Sequence, residues 1–362
     1  MNKEPVYYDG TKLLSMKDIN NDTPEIYICT SNRSAGKTTY FARKLVNGFM
    51  KSGKKFMLIY RYKYELDSVE DKFFKDIQSL FFSKYSMRSE SRARGMFREL
   101  YFGPSPDPEL DGEDEKNFGE SCGYAVSLNS ADNIKKYSHF FSDVDCMMFD
   151  EFQSETNTYC PQEIRKLLSI HTSVARGHGK QVRYVPLYMI SNPVSILNPY
   201  YVELGITSRL KKETKFLKGD GFVLEQGFNE SASSAQKESA FNRAFSKNSY
   251  VAYASQSIYL NDNVAFIEKM SGKFRYLATL KYEGRYYALK EFFEQGVIYC
   301  DDKGDQSFFR KIAVTTEDHD INYLTLKANE LLISTLRYFF DRGCFRFKNI
   351  TCKDVVLTAL SY

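Results

Sequence analysis

Short apolar runs, each followed by polar or charged residues, recur along the first half of the chain. They occupy residues 25–30, 55–60, 145–149 and 182–190. Segments with apolar residues at helical spacing lie between them, at residues 39–46, 67–82 and 162–173. Continuous apolar runs favour strands buried on both faces, and their alternation with amphipathic helices is typical of a mostly parallel sheet. The pattern therefore predicts an α/β fold.

The segment between the first strand and the first helix reads Ser-Asn-Arg-Ser-Ala-Gly-Lys-Thr, residues 31–38. A strand, a tight loop ending in Gly-Lys-Thr and a helix form the setting of a phosphate-binding loop, in which backbone N–H groups and the helix N-terminus attract phosphate oxygens. Lys37 would reach the outer phosphates, and the Thr38 hydroxyl would ligate Mg²⁺. The predicted nucleotide-binding residues are Ser31, Asn32, Arg33, Ser34, Ala35, Gly36, Lys37, Thr38 and Thr39.

This loop departs from the usual pattern, because it opens with Ser31 where the pattern has glycine. Glycine tolerates positive φ at no steric cost, and serine is a poorer substitute. Arg33 adds a cation that would face the phosphates. The departure leaves open a loop that binds ATP without hydrolysing it.

A second chemical signal is the segment 145–152, in which apolar residues precede Asp150 and Glu151. Such a pattern suits a central buried strand that delivers carboxylates at its end. Asp150 would hold the Mg²⁺ shell, and Glu151 would orient and polarise the attacking water as a general base. Together with the phosphate loop, these residues predict hydrolysis of ATP with Mg²⁺ as cofactor.

Two further segments supply candidate catalytic residues. The strand at 182–190 is followed by Ser191 and Asn192, where a polar side chain can contact the γ-phosphate or the water; the alternative is a plain turn. Arg176 precedes a glycine-containing loop at residues 177–180. An arginine on a flexible loop suits a finger that reaches the γ-phosphate of a neighbouring subunit.

Composition narrows the class of protein. The 362 residues are a soft prior for two domains, and the net charge of +4 is too small to argue by itself for nucleic acid. Seven scattered cysteines and four histidines do not predict a zinc site, and they suit a reducing cytoplasm. No apolar run approaches membrane-spanning length. We expect a soluble intracellular protein without a membrane partner.

The C-terminal part of the chain has a different pattern. Residues 208–256 lack strong strand patterns, and we interpret them as a linker that could be helical. From residue 257 short strands alternate with turns, and helices follow near residues 325–341 and 351–361. This order predicts an α+β domain over residues 257–362. The ATPase domain would then span residues 1–207.

Asp301 and Asp302 follow a predicted strand of this second domain, where a metal nuclease would need acids. A two-metal site needs more carboxylates than one turn provides, and Glu268 and Glu283 are the other candidates. We expect that the domain does not cleave nucleic acid. Its Lys and Arg residues are candidates for contacts to a DNA backbone or a structural RNA.

Several segments, taken in order, resemble the DNA-packaging (encapsidation) ATPases of small short-tailed bacteriophages of the phi29-like type, compact relatives of the large terminase motors. They are residues 31–38, 60–66, 149–152, 174–176, 191–200 and 266–269. The resemblance implies that Lys37 is the phosphate-loop lysine, Asp150 the metal-shell acid and Glu151 the catalytic glutamate. It also implies that Arg176 is a trans-acting arginine finger and that Lys63 acts at subunit contacts.

The same resemblance implies an ASCE-type P-loop ATPase domain and a smaller C-terminal domain with an RNase H-like nuclease fold that has lost its cleavage site. It implies a homo-oligomeric ring, a pentamer in the family, that works at the capsid portal on double-stranded DNA. A packaging RNA is a further candidate partner. The expected location is the host cytoplasm, with transient attachment to the viral procapsid.

The motifs together with this resemblance imply an ATP-driven double-stranded DNA translocase that packages a viral genome into a preformed capsid. A helicase-like P-loop motor and a non-catalytic ATP-binding nucleic-acid adaptor are the alternatives. Glu151 argues against the adaptor, because a site that only binds ATP has no use for a water-orienting carboxylate.

Overall fold

A computed structural model describes residues 6–105, 119–156, 158–176, 181–207, 209–210, 214–246, 248, 251 and 266–361. The chain divides into two compact units. The first comprises Met1–Tyr200 and Lys211–Asn261, and the second comprises Tyr201–Leu210 and Asp262–Tyr362. The chain therefore passes between the units more than once.

The strands and helices of the described residues are numbered separately in chain order. The strands are β1 (Ile26–Thr30), β2 (Lys55–Tyr60), β3 (Tyr85–Arg92), β4 (Phe97–Pro104), β5 (Glu120–Ser127), β6 (Val144–Asp150), β7 (Leu187–Ser191), β8 (Phe216–Lys218), β9 (Phe222–Gln226), β10 (Arg275–Tyr282), β11 (Arg285–Phe292), β12 (Val297–Asp301), β13 (Lys311–Ala313), β14 (Leu324–Thr325) and β15 (Phe345–Phe347). The α-helices are α1 (Thr11–Ser15), α2 (Lys37–Ser52), α3 (Val69–Phe81), α4 (Ala131–Ile134), α5 (Glu163–Val174), α6 (Pro199–Glu203), α7 (Glu230–Glu238), α8 (Ala240–Ala244), α9 (Glu330–Asp341) and α10 (Ile350–Ser361). Short 3₁₀ helices lie at Lys63–Leu66, Leu128–Ser130, Lys135–Phe141 and Lys327–Asn329.

The described strands of the first unit form one sheet in the order β3-β4-β5-β2-β6-β7-β1-β9-β8. The central strands, from β5 to β9, pair in parallel, whereas β3, β4 and β8 add antiparallel edges. Parallel pairing brings the carboxyl ends of β1, β2, β6 and β7 to one edge of the sheet, where ligands bind in open α/β folds. The predicted α/β class with a mostly parallel sheet is confirmed.

Helices α2 and α3 cover this sheet with apolar stripes. Phe41 and Leu45 of α2 and Phe73 and Ile77 of α3 are buried in one apolar cluster together with strand residues. Helix α2 ends at Ser52, and Gly53 directly after it adopts the left-handed conformation that often terminates helices. The helical spacing of the apolar residues therefore fixes which faces of the helices pack on the sheet.

Strands β8 and β9 lie within residues 208–256, where the sequence suggested a linker. Strand β9 pairs in parallel with β1 along its whole length, and its residues Phe222, Val223 and Leu224 are buried. The structure differs from the linker interpretation because β9 becomes a strand through long-range pairing with β1, which a local pattern does not reveal. The helices α7 and α8 follow within the same segment.

The described strands of the second unit form a sheet in the order β14-β13-β10-β11-β12-β15. Strands β10, β11 and β12 are antiparallel, and β13, β14 and β15 add in parallel. Alternate strand residues, among them Leu280, Leu289, Cys300 and Phe347, form an apolar cluster with α9 and α10. The predicted α+β pattern is therefore observed here, while the predicted start at residue 257 lies outside the described residues.

None of the helices in the described residues has the length and apolar character needed to cross a membrane.

Candidate active site

The loop between β1 and α2 is folded to receive an anion. Ser34 and Gly36 have positive φ values of 60° and 91°, and the helix begins directly after Gly36. A turn of this kind directs backbone N–H groups into one concavity. Lys37 is buried, and its Nζ donates to the carbonyls of Ser31 and Asn32 at 3.0 and 3.2 Å. The loop thus holds an ammonium group beside a helix N-terminus.

Ser31 takes its place without positive φ, which among the loop residues is found only at Ser34 and Gly36. Strand β9, which pairs with β1, is followed by Gly227, where a Cβ would lie 3.3 Å from the Cβ of Ser31. The absence of a side chain at Gly227 therefore spares Ser31 a tight contact.

Asn32 ties the loop to helix α7. Its Nδ2 donates to the carbonyl of Asn229 at 3.0 Å, and its Oδ1 accepts the N–H of Asn229 at 2.9 Å. Asn229 also caps α7, and Gln236 of that helix donates to the Ser34 hydroxyl at 3.0 Å. The sequence interpretation missed Asn229 and Gln236, although Asn followed by a helical segment is a recognised N-cap signal.

Thr38 and Asp150 lie together at the start of α2 and the end of β6. The Thr38 hydroxyl hydrogen-bonds the Asp150 carboxylate and lowers its pKa, but burial outweighs this effect and the pKa is raised. The pKa of Lys37 is lowered by burial, although Asp150 opposes that shift. A hydroxyl and a carboxylate side by side are the hard oxygen ligands that Mg²⁺ prefers.

Glu151 follows β6 directly and reaches solvent. Partial burial raises the pKa of Glu151 most strongly, and the negative charges of Asp150 and Glu155 raise it further. Its φ of 53° is a left-handed conformation that costs a non-glycine residue about 1–2 kcal/mol. Arg33 of the phosphate loop forms an ion pair with Glu155 and lowers the pKa of Glu151.

Asn192 also belongs to this cluster, since its Oδ1 accepts a hydrogen bond from Lys37 Nζ at 3.2 Å. Strand β7 lies between β1 and β6, so its carboxyl end emerges between the phosphate loop and the two acids. Asn192 therefore lies beside the lysine of the phosphate loop.

Other candidate residues lie differently. Thr39 is half-buried in the first turn of α2, and Ala35 is buried with its carbonyl accepting the N–H of Tyr8 at 2.8 Å. Lys63 is exposed and lies near the tip of the β3–β4 hairpin. Arg176 is exposed after α5, where its Nε donates to the carbonyl of Thr172 at 3.2 Å. The single chain therefore does not join Arg176 to the phosphate loop, and the loop at residues 177–180 lies outside the described residues.

The donors present at this edge fit a nucleotide with a divalent cation. Lys37 and Arg33 supply positive charge, and the helix N-terminus supplies N–H groups for phosphate oxygens. Thr38 and Asp150 supply oxygen ligands, and Glu151 keeps a carboxylate that reaches solvent.

The acids of the second unit have different surroundings. Lys290 Nζ lies 2.6 Å and Lys348 Nζ 3.0 Å from carboxylate oxygens of Asp301, and Lys348 also pairs with Asp302. Burial alone would raise the pKa of Asp301, but the hydrogen bonds from the two lysines lower it. Glu268 pairs instead with Arg346 at 2.5 Å. In the part of the chain that the structure describes, no three acids, histidines or cysteines are grouped to hold a metal ion.

Comparison with known proteins places the chain in a family. The model of a family described as podovirus DNA encapsidation protein (Gp16) matches residues 1–97 and 112–360. The DNA packaging protein of Bacillus phage phi29 is 25% identical over 356 residues, which are 97% of this chain and 96% of the relative. The DNA packaging protein of Bacillus phage B103 is 24% identical over 323 residues, 88% of each chain.

Solved structures share the fold. A chain of the bacteriophage Phi-29 viral genome packaging motor assembly matches with a TM-score of 0.66 at 22% identity, covering 99% of this chain and 98% of that chain. The Phi-28 gp11 DNA packaging motor matches with a TM-score of 0.58 at 15% identity, covering 98% of each. Since the family match extends over most of its length, the chain belongs to the podovirus DNA encapsidation protein (Gp16) family.

Proposed function

We propose that this protein is an ATP-driven double-stranded DNA translocase that packages a viral genome into a preformed capsid. Its family supports DNA as the cargo, and its relatives are DNA packaging proteins. One observation carries the choice of ATP as energy source. Lys37, Thr38, Asp150 and Glu151 converge at the edge of the first sheet where open α/β folds bind ligands.

The residues divide the work of hydrolysis. The loop N–H groups and Lys37 bind the β- and γ-phosphates, and Asn192 contacts the γ-phosphate or the attacking water. Glu151 accepts a proton from the attacking water while the water oxygen bonds to the γ-phosphorus. At the same time, the bond between that phosphorus and the leaving oxygen of ADP breaks. A Mg²⁺ ion held by Thr38 and Asp150 would neutralise charge on the phosphate oxygens. The placement of β7 between β1 and β6 supports an ASCE-type ATPase.

Subunit interfaces of a homo-oligomeric ring complete each site in this proposal. Arg176, which is exposed at the end of α5, would reach the γ-phosphate bound by a neighbouring subunit. The exposed Lys63 would lie at the same contact. By resemblance to the family, the ring is a pentamer that engages the capsid portal, with a packaging RNA as candidate partner. It would act in the host cytoplasm while attached to the procapsid.

The second unit supports descent from an RNase H-like nuclease. The order β14-β13-β10-β11-β12, with β10 to β12 antiparallel and β13 and β14 parallel, is the strand order of that fold, to which β15 is added. Loss of cleavage is supported by Lys290 and Lys348, which neutralise Asp301 and Asp302 where metal ions would be needed. We infer that this unit binds nucleic acid or the capsid and does not cut DNA.

The first test is steady-state ATP hydrolysis by the wild-type protein and by Glu151→Gln, with and without duplex DNA. The substitution keeps the shape of the side chain and removes the base. We expect ATP binding to persist and turnover to fall by roughly 10²–10⁴-fold. Loss of DNA-stimulated turnover in the variant would justify packaging assays with empty capsids.

Three outcomes would contradict the proposal. Equal turnover of Glu151→Gln and wild type would remove Glu151 from catalysis. ATP binding without turnover, even with procapsids and DNA, would favour the adaptor. Separation of forked duplexes in the absence of a capsid would favour a helicase.

A further inference from the structure

The backbone of Glu151 adopts a left-handed conformation, which is common for glycine but unfavourable for glutamate. Its φ of 53° belongs to a region that non-glycine residues rarely adopt, and its N–H donates to Oδ1 of the preceding Asp150 at 2.9 Å. A left-handed residue after a strand turns the chain and fixes where its carboxylate points. Neighbouring groups must therefore maintain this conformation, because strained backbone persists only when its surroundings determine it.

Arg61 is the group that meets this peptide segment. It follows β2 as Glu151 follows β6, and the two strands pair in parallel up to Ile59 and Phe149, so both residues emerge side by side. Arg61 Nη1 donates to the Glu151 carbonyl at 3.4 Å, and Nη2 donates to the Phe152 carbonyl at 2.7 Å. The guanidinium thus contacts the carbonyls of the catalytic residue and of the residue after it.

The guanidinium is itself held rigidly. Its Nε lies 3.0 and 3.1 Å from the two carboxylate oxygens of Glu163, and both side chains are more than 90% buried. Glu163 also accepts the Cys160 N–H at 2.8 Å and the Tyr200 hydroxyl at 2.6 Å. The carboxylate is therefore saturated and cannot easily turn away from Arg61.

This arrangement uses properties that only arginine has. An ion pair with Glu163 alone would leave the remaining guanidinium donors to be satisfied elsewhere. Here two of them bind successive carbonyls around Glu151, which a lysine ammonium on a flexible stem cannot match with the same fixed fork.

We propose that Arg61, held by Glu163 and Tyr200, is the positioning residue of the catalytic carboxylate. It fixes the left-handed turn at Glu151 and so holds the carboxylate where it can take the proton of the attacking water. This inference rests on the proposed function, because it needs Glu151 to be the general base. Arg61 does not touch the reacting atoms.

The test compares Arg61→Lys with Arg92→Lys in the full-length protein without DNA. Arg92 is a matched control, since its guanidinium pairs with Glu90 and Glu99 in the β3–β4 hairpin. We expect Arg61→Lys to lower kcat by about 10²-fold with little change in KM, because misplacement of a catalytic group by about 1 Å costs about that much. Arg92→Lys should retain wild-type kcat and KM.

A double variant separates positioning from stability. If Arg61 acts through Glu151, adding Arg61→Lys to Glu151→Gln should lower kcat no further, since the base is already absent. A purely structural role would lower kcat equally in both backgrounds and in proportion to the folded fraction measured by thermal denaturation. That result would overturn the inference.

Tyr200→Phe keeps the test decisive if Arg61→Lys does not fold. It removes only the hydroxyl that holds Glu163, and we expect a several-fold loss of kcat. In the Glu151→Gln background, Tyr200→Phe should cause no further loss of kcat. Wild-type kcat in a folded Arg61→Lys or Tyr200→Phe protein would refute this inference and would leave the proposed function standing. Indifference of turnover to Glu151→Gln would instead refute the proposed function.

Discussion

Each unit has a strand that runs from apolar residues into a pair of acids, and the two pairs have opposite surroundings. At the end of β6, burial raises the pKa of Asp150 and, with neighbouring acids, that of Glu151. At the end of β12, Lys290 and Lys348 lie within 3.0 Å of Asp301 and hold its pKa below the ordinary range. The same local pattern thus gives an acid pair with raised pKa values in one unit and an acid pair bonded to lysines in the other. The groups supplied by neighbouring elements determine this difference.

The largest difference should appear when one acid of each pair loses its charge. Asp150→Asn removes a carboxylate beside Thr38, and we expect kcat/KM for ATP with Mg²⁺ to fall by about 10²–10³-fold, since a metal contributes several kcal/mol to charge stabilisation. Asp301→Asn should leave ATP hydrolysis unchanged. Equal losses in both variants, measured at a temperature where both are folded, would show that the two strand ends are not functionally distinct.

The ion pairs of the second unit should contribute to its stability. Lys290 and Asp301 are each only 15% exposed, so Lys290→Met with Lys348→Met leaves Asp301 charged and poorly solvated. We expect the free energy of unfolding of this unit to fall by about 2–4 kcal/mol, slightly less than the loss of about 3–5 kcal/mol on breaking a fully buried pair, because these side chains keep some exposure. Chemical denaturation measures the loss. Lys281→Met is the control, because its partner Asp320 is 39% exposed, and a loss of the same size there would remove any special role of the buried pair.

Acid should affect the two units at different pH. The raised pKa of Glu151 means that the base becomes protonated, and kcat falls, at a pH above the ordinary carboxyl range near 4.3. The lowered pKa of Asp301 contributes stability above the unfolded pKa of about 3.9, and this stability is lost only as pH falls through the lower folded value. As pH falls, ATP turnover should therefore decline at a pH at which the charged Asp301 still stabilises the second unit. Parallel pH profiles of kcat and of thermal unfolding test this order.

The smallest expected effect concerns the backbone. Because Glu151 has positive φ, Glu151→Gly should be more stable than Glu151→Ala by up to about 1 kcal/mol. At Asp301, an extended residue of β12, glycine should be less stable than alanine. Urea unfolding of the four variants gives the comparison. The same sign at both positions would argue against strain at Glu151.

The sequence predicted most of what lies at the edge of the first sheet. Continuous apolar runs indicate buried strands, so the positions of β1, β6 and β7 could be predicted, together with Lys37 after β1, Asp150 at the end of β6 and Asn192 after β7. Strand β9 could not, because it is held by pairing with β1. The role of Gly227 in making room for Ser31 escaped for the same reason.

Pairings between distant side chains were equally hidden. The lysines that neutralise Asp301 come from β11 and from the residue after β15, and nothing in the local sequence connects them. Arg61 likewise follows β2, and its guanidinium contacts the carboxylate of Glu163, which lies 102 residues further along the chain. Whether a charged residue serves a site or supports one depends on contacts that the fold alone creates.

The return of the chain to the first unit after Leu210 matters for anyone who would express the units separately. A gene fragment ending at residue 200 would lack β9 and expose the edge of β1, the strand that precedes the phosphate loop. Such an edge invites pairing with other chains. Soluble expression of the first unit should therefore require residues through the end of α8, with residues 201–210 retained or replaced by a short polar loop.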